Sequence, residues 1–121
     1  MDEEEIKALA SAWIQHEETS WAWKKLHEIV DRSHDEAWLI IEEILKQSEN
    51  EDVIDMLGVG PLEEILSAYA DHYLDVVERL VQNSPNFRKA LLSVRITGPE
   101  SEGVASIRRR LVEEAINKGE M

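Results

Sequence analysis

The sequence predicts an all-α fold, a compact helical array of about six to eight short helices, and three observations predict it. Apolar residues recur at three- and four-residue spacing, and no segment alternates in the manner of a half-buried strand. Helix-start signals precede the apolar stripes, as in Ser33-His34-Asp35-Glu36, Asn50-Glu51 and Ser84-Pro85. Glycine and proline gather in two breaks, Gly58-Val59-Gly60-Pro61 and Gly98-Pro99. At 121 residues the chain fits one domain, residues 1–121, with a core that needs no covalent staples.

The first helix is predicted from about Asp2 to Gln15, with Ile6, Leu9, Ala10 and Trp13 on one stripe. The second runs from about Ser20 to Asp31, with Ala22, Trp23, Leu26, Ile29 and Val30 inward. Ser33 and Glu36 have capping-box spacing and open a third helix, in which Ala37, Trp38, Ile41, Ile44 and Leu45 share a side that Leu39 and Ile40 widen nearly all round. Asn50 caps a short fourth helix that is expected to end at Gly58. A new helix then starts with Pro61 at its first position and Glu63 near its third. Over residues 62–83 the spacing fits one long helix, or two with Asp71 capping the second. Ser84-Pro85 opens a helix holding Phe87, Ala90, Leu91 and Val94. After the break at Thr97-Gly98-Pro99-Glu100, a last helix carries Val104, Ile107, Leu111 and Ala115 and ends near Gly119. Trp38 to Leu45 and Tyr73 to Leu80 align at an offset of 35, and Gly60-Pro61 recurs as Gly98-Pro99 at an offset of 38. Such spacing is what stacked helical hairpins of the HEAT kind produce.

The charge is negative and unevenly spread. Through Leu66 there are 18 Asp or Glu against 5 Lys or Arg, a net of −13, and from Ser67 onward 8 against 8. A field of that sign repels phosphate backbones, so it argues against direct nucleic-acid binding through the acidic face and for a basic protein as partner. Solubility alone is the plainer account of the same charge. With no cysteine there is no disulfide, thiolate metal site or cysteine nucleophile. The acidic start Met1-Asp2-Glu3-Glu4-Glu5 is unlike a secretory signal, and no apolar run approaches the roughly 18 residues of a membrane span. A cytoplasmic protein with no membrane contact is the expectation.

Four stretches occur in order: Trp21 to Val30, Glu36-Ala37-Trp38 through Leu45, Gly60-Pro61-Leu62-Glu63-Glu64-Ile65-Leu66, and Ser84-Pro85-Asn86-Phe87-Arg88-Lys89-Ala90-Leu91. Together the set resembles an uncharacterised family of small bacterial proteins, a domain of unknown function with a central A/G-G-P-L-E-D/E-L-L segment and a later D-P-x-F-R-x-A-L segment. The resemblance covers residues 20–95 and implies a single helical domain and a bacterial origin, with no activity attached. The chain departs from that pattern at Tyr69-Ala70, where a His-Gly pair is usual, and at Val94-Arg95, where tryptophan tends to follow valine.

Several constellations bear on function. Glu63, in the motif Gly60, Pro61, Leu62, Glu63, sits where a carboxylate either caps a helix start or acts chemically, and capping is the more economical account. Glu64 points about 100° away, so the two make no acid/base pair. Among His16, His27, His34 and His72 no pair has the helical spacing of a zinc-protease motif, and imidazoles at helix ends commonly face water. No catalytic residue, metal ligand or cofactor is assigned, although ligands from distant segments can meet in space. Arg108-Arg109-Arg110 fans over about 200° of a helix and makes no single phosphate-binding face. Trp21 and Trp23 also lie about 200° apart, so they cannot both face one core. An exposed ring beside acidic residues is typical of protein contacts. The candidate interaction surface is therefore Trp21, Trp23, Glu17 and Glu18.

The leading expectation is a non-enzymatic acidic helical interaction module, in its most concrete form an immunity- or inhibitor-like partner of a basic protein such as a nuclease. The alternatives are a small-ligand-binding protein or enzyme with a pocket near Glu63 that uses His72 and Tyr69, and an acidic DNA mimic with carboxylates spaced like phosphates.

Overall fold

The computed structural model describes residues 1–15, 21–94 and 102–117, and within them every regular element is helical. The helices are α1 (Glu3–Ile14), α2 (Trp21–Arg32), α3 (His34–Gln47), α4 (Glu51–Leu57), α5 (Glu63–Tyr69), α6 (Leu74–Asn83), α7 (Pro85–Ser93) and α8 (Glu102–Asn117). A wide turn, Gly58–Leu62, joins α4 to α5. The predicted break at Thr97-Gly98-Pro99-Glu100 and the predicted end near Gly119 lie outside the described residues, as does the Gly98-Pro99 half of the repeat.

Local chemistry sets most of the boundaries. Asp2 Oδ1 accepts from Glu5 N–H at 2.8 Å, Asn50 Oδ1 from Asp52 N–H at 2.9 Å and Val53 N–H at 3.2 Å, and Ser84 Oγ from Phe87 N–H at 3.1 Å. Each satisfies donors that a helix start leaves orphaned. The expected capping box at Ser33 is realised by half. Ser33 Oγ accepts from Glu36 N–H at 3.4 Å, but Ser33 N–H donates to the Ile29 carbonyl, because α2 runs to within one residue of α3 and still reaches it. The freed Glu36 carboxylate turns outward to Arg32 and the Met1 amino group.

The glycine-proline break differs from its expectation. Helix α4 ends at Leu57 with Gly58 as its capping residue, as expected, but Gly58 keeps a helical backbone and the path stays wound to a kink at Gly60 (φ −109°, ψ −105°), entering α5 at Glu63, two residues past the expected start at Pro61. Glu63 N–H donates to the carbonyls of Gly58 and Gly60, so the path stays wound across a proline that lacks a donor. Gly58 is required for packing instead. A Cβ there would lie 2.3 Å from the Ala90 carbonyl oxygen and 2.9 Å from Ser93 Cβ, so glycine lets α7 sit directly on the turn.

Residues 62–83 form two helices. The turn between them is closed by His72 N–H to the Tyr69 carbonyl at 3.0 Å and Tyr73 N–H to the Ala70 carbonyl at 3.2 Å. Tyr73, with no side-chain cap, precedes α6 in place of the expected Asp71. Helices α1, α2 and α3 pack on one another, α4 and the wide turn pack on α7, and α7 contacts both α6 and α8. The core contains Trp13, Leu26, Ile29, Ile40, Ile41, Ile44, Ile54, Leu57, Leu62, Ile65, Leu66 and Phe87, all fully buried. Leu39, predicted to widen the buried face of α3, is 52% exposed, whereas its neighbour Ile40 is sealed. Two polar groups of the Ser84–Leu91 segment tie helix ends together. Asn86 Nδ2 donates to the Leu45 and Ser48 carbonyls, both at 3.2 Å, and Arg88 Nη1 donates to the Val81 carbonyl at 2.6 Å.

Candidate functional site

The tryptophans separate as their spacing requires. Trp23 stacks on the fully buried Trp13, with ring centroids 5.6 Å apart, while Trp21 at the start of α2 is 64% exposed. Helical spacing puts Lys24 and Lys25 on the Trp21 side of α2, so that ring has cations beside it on its own helix. Glu17 and Glu18, the carboxylates expected to flank it, lie outside the described residues, as does His16. Exposed carboxylates are found instead in the first turn of α1 (Glu3, Glu4 and Glu5, after Asp2) and on α4 (Glu51, Asp52 and Asp55). Within this half of the chain Lys7 pairs with Glu3 at 3.3 Å and Arg32 with Glu36 at 3.5 Å.

The motif Gly60, Pro61, Leu62, Glu63 lies at the wide turn. Pro61 and Leu62 are buried, and Glu63 is half-buried at the opposite end of α5 from Tyr69. The expected capping position is altered because Glu63 follows a wound turn and not an open helix start. Gly60, Pro61 and Glu64 border a small recess with Trp13, Trp23 and His27. Across it the exposed His27 Nδ1 and Glu64 Oε1 lie 3.0 Å apart.

A denser chemical cluster forms where the first residues of α3 meet the turn between α5 and α6. Because Ser33 alone separates α2 from α3, His34 and Asp35 occupy the first two positions of α3. The tight Ala70–Tyr73 turn brings His72 and Tyr73 against them. Tyr73 Oη donates to Asp35 Oδ1 at 2.6 Å and lies within hydrogen-bond distance of His34 Nδ1. With its proton on Asp35, the phenol oxygen accepts from His34, an assignment made from the network. His34 Nδ1 and His72 Nε2 approach the same Asp35 oxygen at 3.3 and 3.4 Å.

Aromatic rings wall the cluster. Tyr69 stacks on His34 at 4.0 Å between centroids, His72 sits edge-on to His34 at 5.3 Å, and Tyr73 stacks on Trp38 at 4.3 Å with an interplanar angle of 10°. Trp38 and Tyr73 are also the residues aligned by the offset-35 echo, and here they are direct packing partners. Hydrogen bonding from Tyr73, with help from the two imidazoles, holds the Asp35 carboxyl below the usual carboxylate range. Burial, and then Asp35, push the Tyr73 phenol upward.

The sequence reading pairs His72 and Tyr69 with Glu63, but the structure puts them with His34 and Asp35. It also corrects the expectation that His34 faces water, since its side chain is 26% exposed beneath Tyr69. Nothing in the spacing of His34, Asp35 and His72 announces their meeting, because the contact depends on a break in the 62–83 segment that periodicity leaves open. One family model matches residues 10–116, described as a family of unknown function (DUF6869). No curated protein and no solved structure matches the chain.

Proposed function

The chain belongs to the family of unknown function DUF6869, so membership carries no activity, and we propose that it is a non-enzymatic, acidic helical module that binds a basic protein. The observation that carries this reading is the location of the charge. The entire net −13 falls within the first 66 residues, and exposed carboxylates from α1 and α4 present much of it to solvent. Of the carboxylates in this half, Glu3 is paired with Lys7 within α1 and Glu36 with Arg32 across the α2–α3 junction. Such a field steers a cationic partner and accelerates encounter. Trp21 supplies the rigid exposed ring that anchors contacts of this kind. In its most concrete form the module is an immunity- or inhibitor-like partner of a basic effector, working in the cytoplasm of a bacterium.

The test is affinity purification from the native host with wild type and Trp21→Ala, followed by binding measured across ionic strength. Recovery of a basic protein whose binding weakens with salt and with loss of the ring supports the reading. Recovery of only neutral or acidic partners, or salt-insensitive binding, overturns it.

A small-ligand or enzymatic reading stands second, and the meeting of Tyr69 and His72 with His34 and Asp35 favours it. It predicts that His72→Ala, at an exposed position of that cluster, leaves stability almost unchanged while abolishing a measurable turnover.

A further inference from the structure

We infer that His34, Asp35 and His72 form a binding site for one divalent transition-metal cation of the zinc class. The donor set is two imidazole nitrogens and a carboxylate oxygen, which suits Zn(II) and its neighbours better than the all-oxygen preference of Mg(II) or Ca(II). One imidazole nitrogen of His34, an Asp35 carboxylate oxygen and one imidazole nitrogen of His72 all lie within 4.8 Å of one another. Two of the three separations, 3.3 Å from His34 and 3.4 Å from His72 to Asp35 Oδ1, match the edge of about 3.4 Å that a tetrahedral zinc site with ordinary bond lengths requires. The remaining separation, between the imidazoles, is within 4.8 Å and closes by a small rotation of His72, whose side chain is 58% exposed.

The surroundings fit the same ligand. His34 is held by its stack on Tyr69, so one donor is fixed in place before binding. Tyr73 donates to Asp35 and stacks on Trp38, and an outer hydrogen bond of this kind orients a ligating carboxylate. On binding, His34 gives up the Nδ1 hydrogen bond to the Tyr73 oxygen, carries its proton on Nε2 and offers the Nδ1 lone pair to the metal, while Tyr73 keeps its bond to Asp35. The fourth position falls to water. The positive end of the α3 dipole opposes a cation, and the Asp35 carboxylate offsets it. The site is independent of the proposed partner surface, as it uses neither Trp21 nor the α4 carboxylates.

The experiment titrates the full chain with Zn(II) by calorimetry and with Co(II) by visible absorption, alongside Mg(II) as the probe of diffuse binding to an acidic surface. One Zn(II) per chain is expected, with ligand-field bands for Co(II) that Mg(II) does not displace. His72→Ala, an exposed position whose helical fold is checked by circular dichroism, should weaken Zn(II) at least tenfold. Asp35→Asn should do the same, and Tyr73→Phe should weaken it by about 10- to 100-fold through the outer hydrogen bond. His27→Ala, paired with Glu64 away from the cluster, should change nothing. Zn(II) binding no tighter than Mg(II), or equal losses from His72→Ala and His27→Ala, overturns the inference.

Discussion

The Tyr73 hydroxyl has two polar neighbours, and the neutral form of the phenol satisfies both. Because burial and the Asp35 carboxylate raise its pKa above the ordinary 10.0, the folded state holds this proton more tightly than the unfolded chain does. The resulting stabilisation is complete below the unfolded pKa and is lost as pH rises toward the folded one. Denaturant melts in the presence of a chelator should therefore show wild type losing stability between about pH 9 and about pH 11, with Tyr73→Phe losing less. Trp21 calls for the opposite pattern. Its ring is mostly in water, so Trp21→Ala should shift unfolding free energy by no more than about 0.5 kcal/mol. The same change should cost more than about 1 kcal/mol of partner binding if the ring is an anchor, which calorimetry on the purified complex reads directly.

At the level of helices and their junctions, Gly58 and Asn86 are the positions whose substitution is most informative. Sequence reading interprets Gly58 as a stop signal, whereas its lack of a side chain serves the approach of α7. Gly58→Ala should accordingly destabilise by about 1–3 kcal/mol through overpacking, even though alanine is the better helix former. A neutral or stabilising effect in chemical denaturation would return Gly58 to the role of a simple helix residue. Asn86 links the end of α3 to α7 by donating to two carbonyls, so Asn86→Ala should cost about 1–3 kcal/mol by leaving them unsatisfied. By contrast, loss of the Asn50 cap should cost about 1 kcal/mol, the ordinary value for a helix start. The caps at Ser33, Asn50 and Ser84 were legible because their partners lie two or three residues away. The tie made by Asn86 was not, since its acceptors are 38 and 41 positions distant.

Over the molecule as a whole, net charge acts on stability as well as on partners. With 26 acidic against 13 basic residues, the native state repels itself, and added salt screens that repulsion. The melting temperature should rise between low and physiological ionic strength while affinity for a basic partner falls, an opposition that thermal melts and binding isotherms in the same buffers can test.

By itself the sequence determined the helical class, most helix starts, the anionic first half and that Trp21 and Trp23 cannot share one core, because periodicity, capping and charge act over a few residues. Only the tertiary structure decided that Gly58 is a packing contact, that residues 62–83 break into two helices, and that His34, Asp35, His72 and Tyr73 share one cluster. Those outcomes depend on how α3, α5, α6 and α7 dock, and docking is set by the fit of side chains far apart in the chain, which no local pattern encodes.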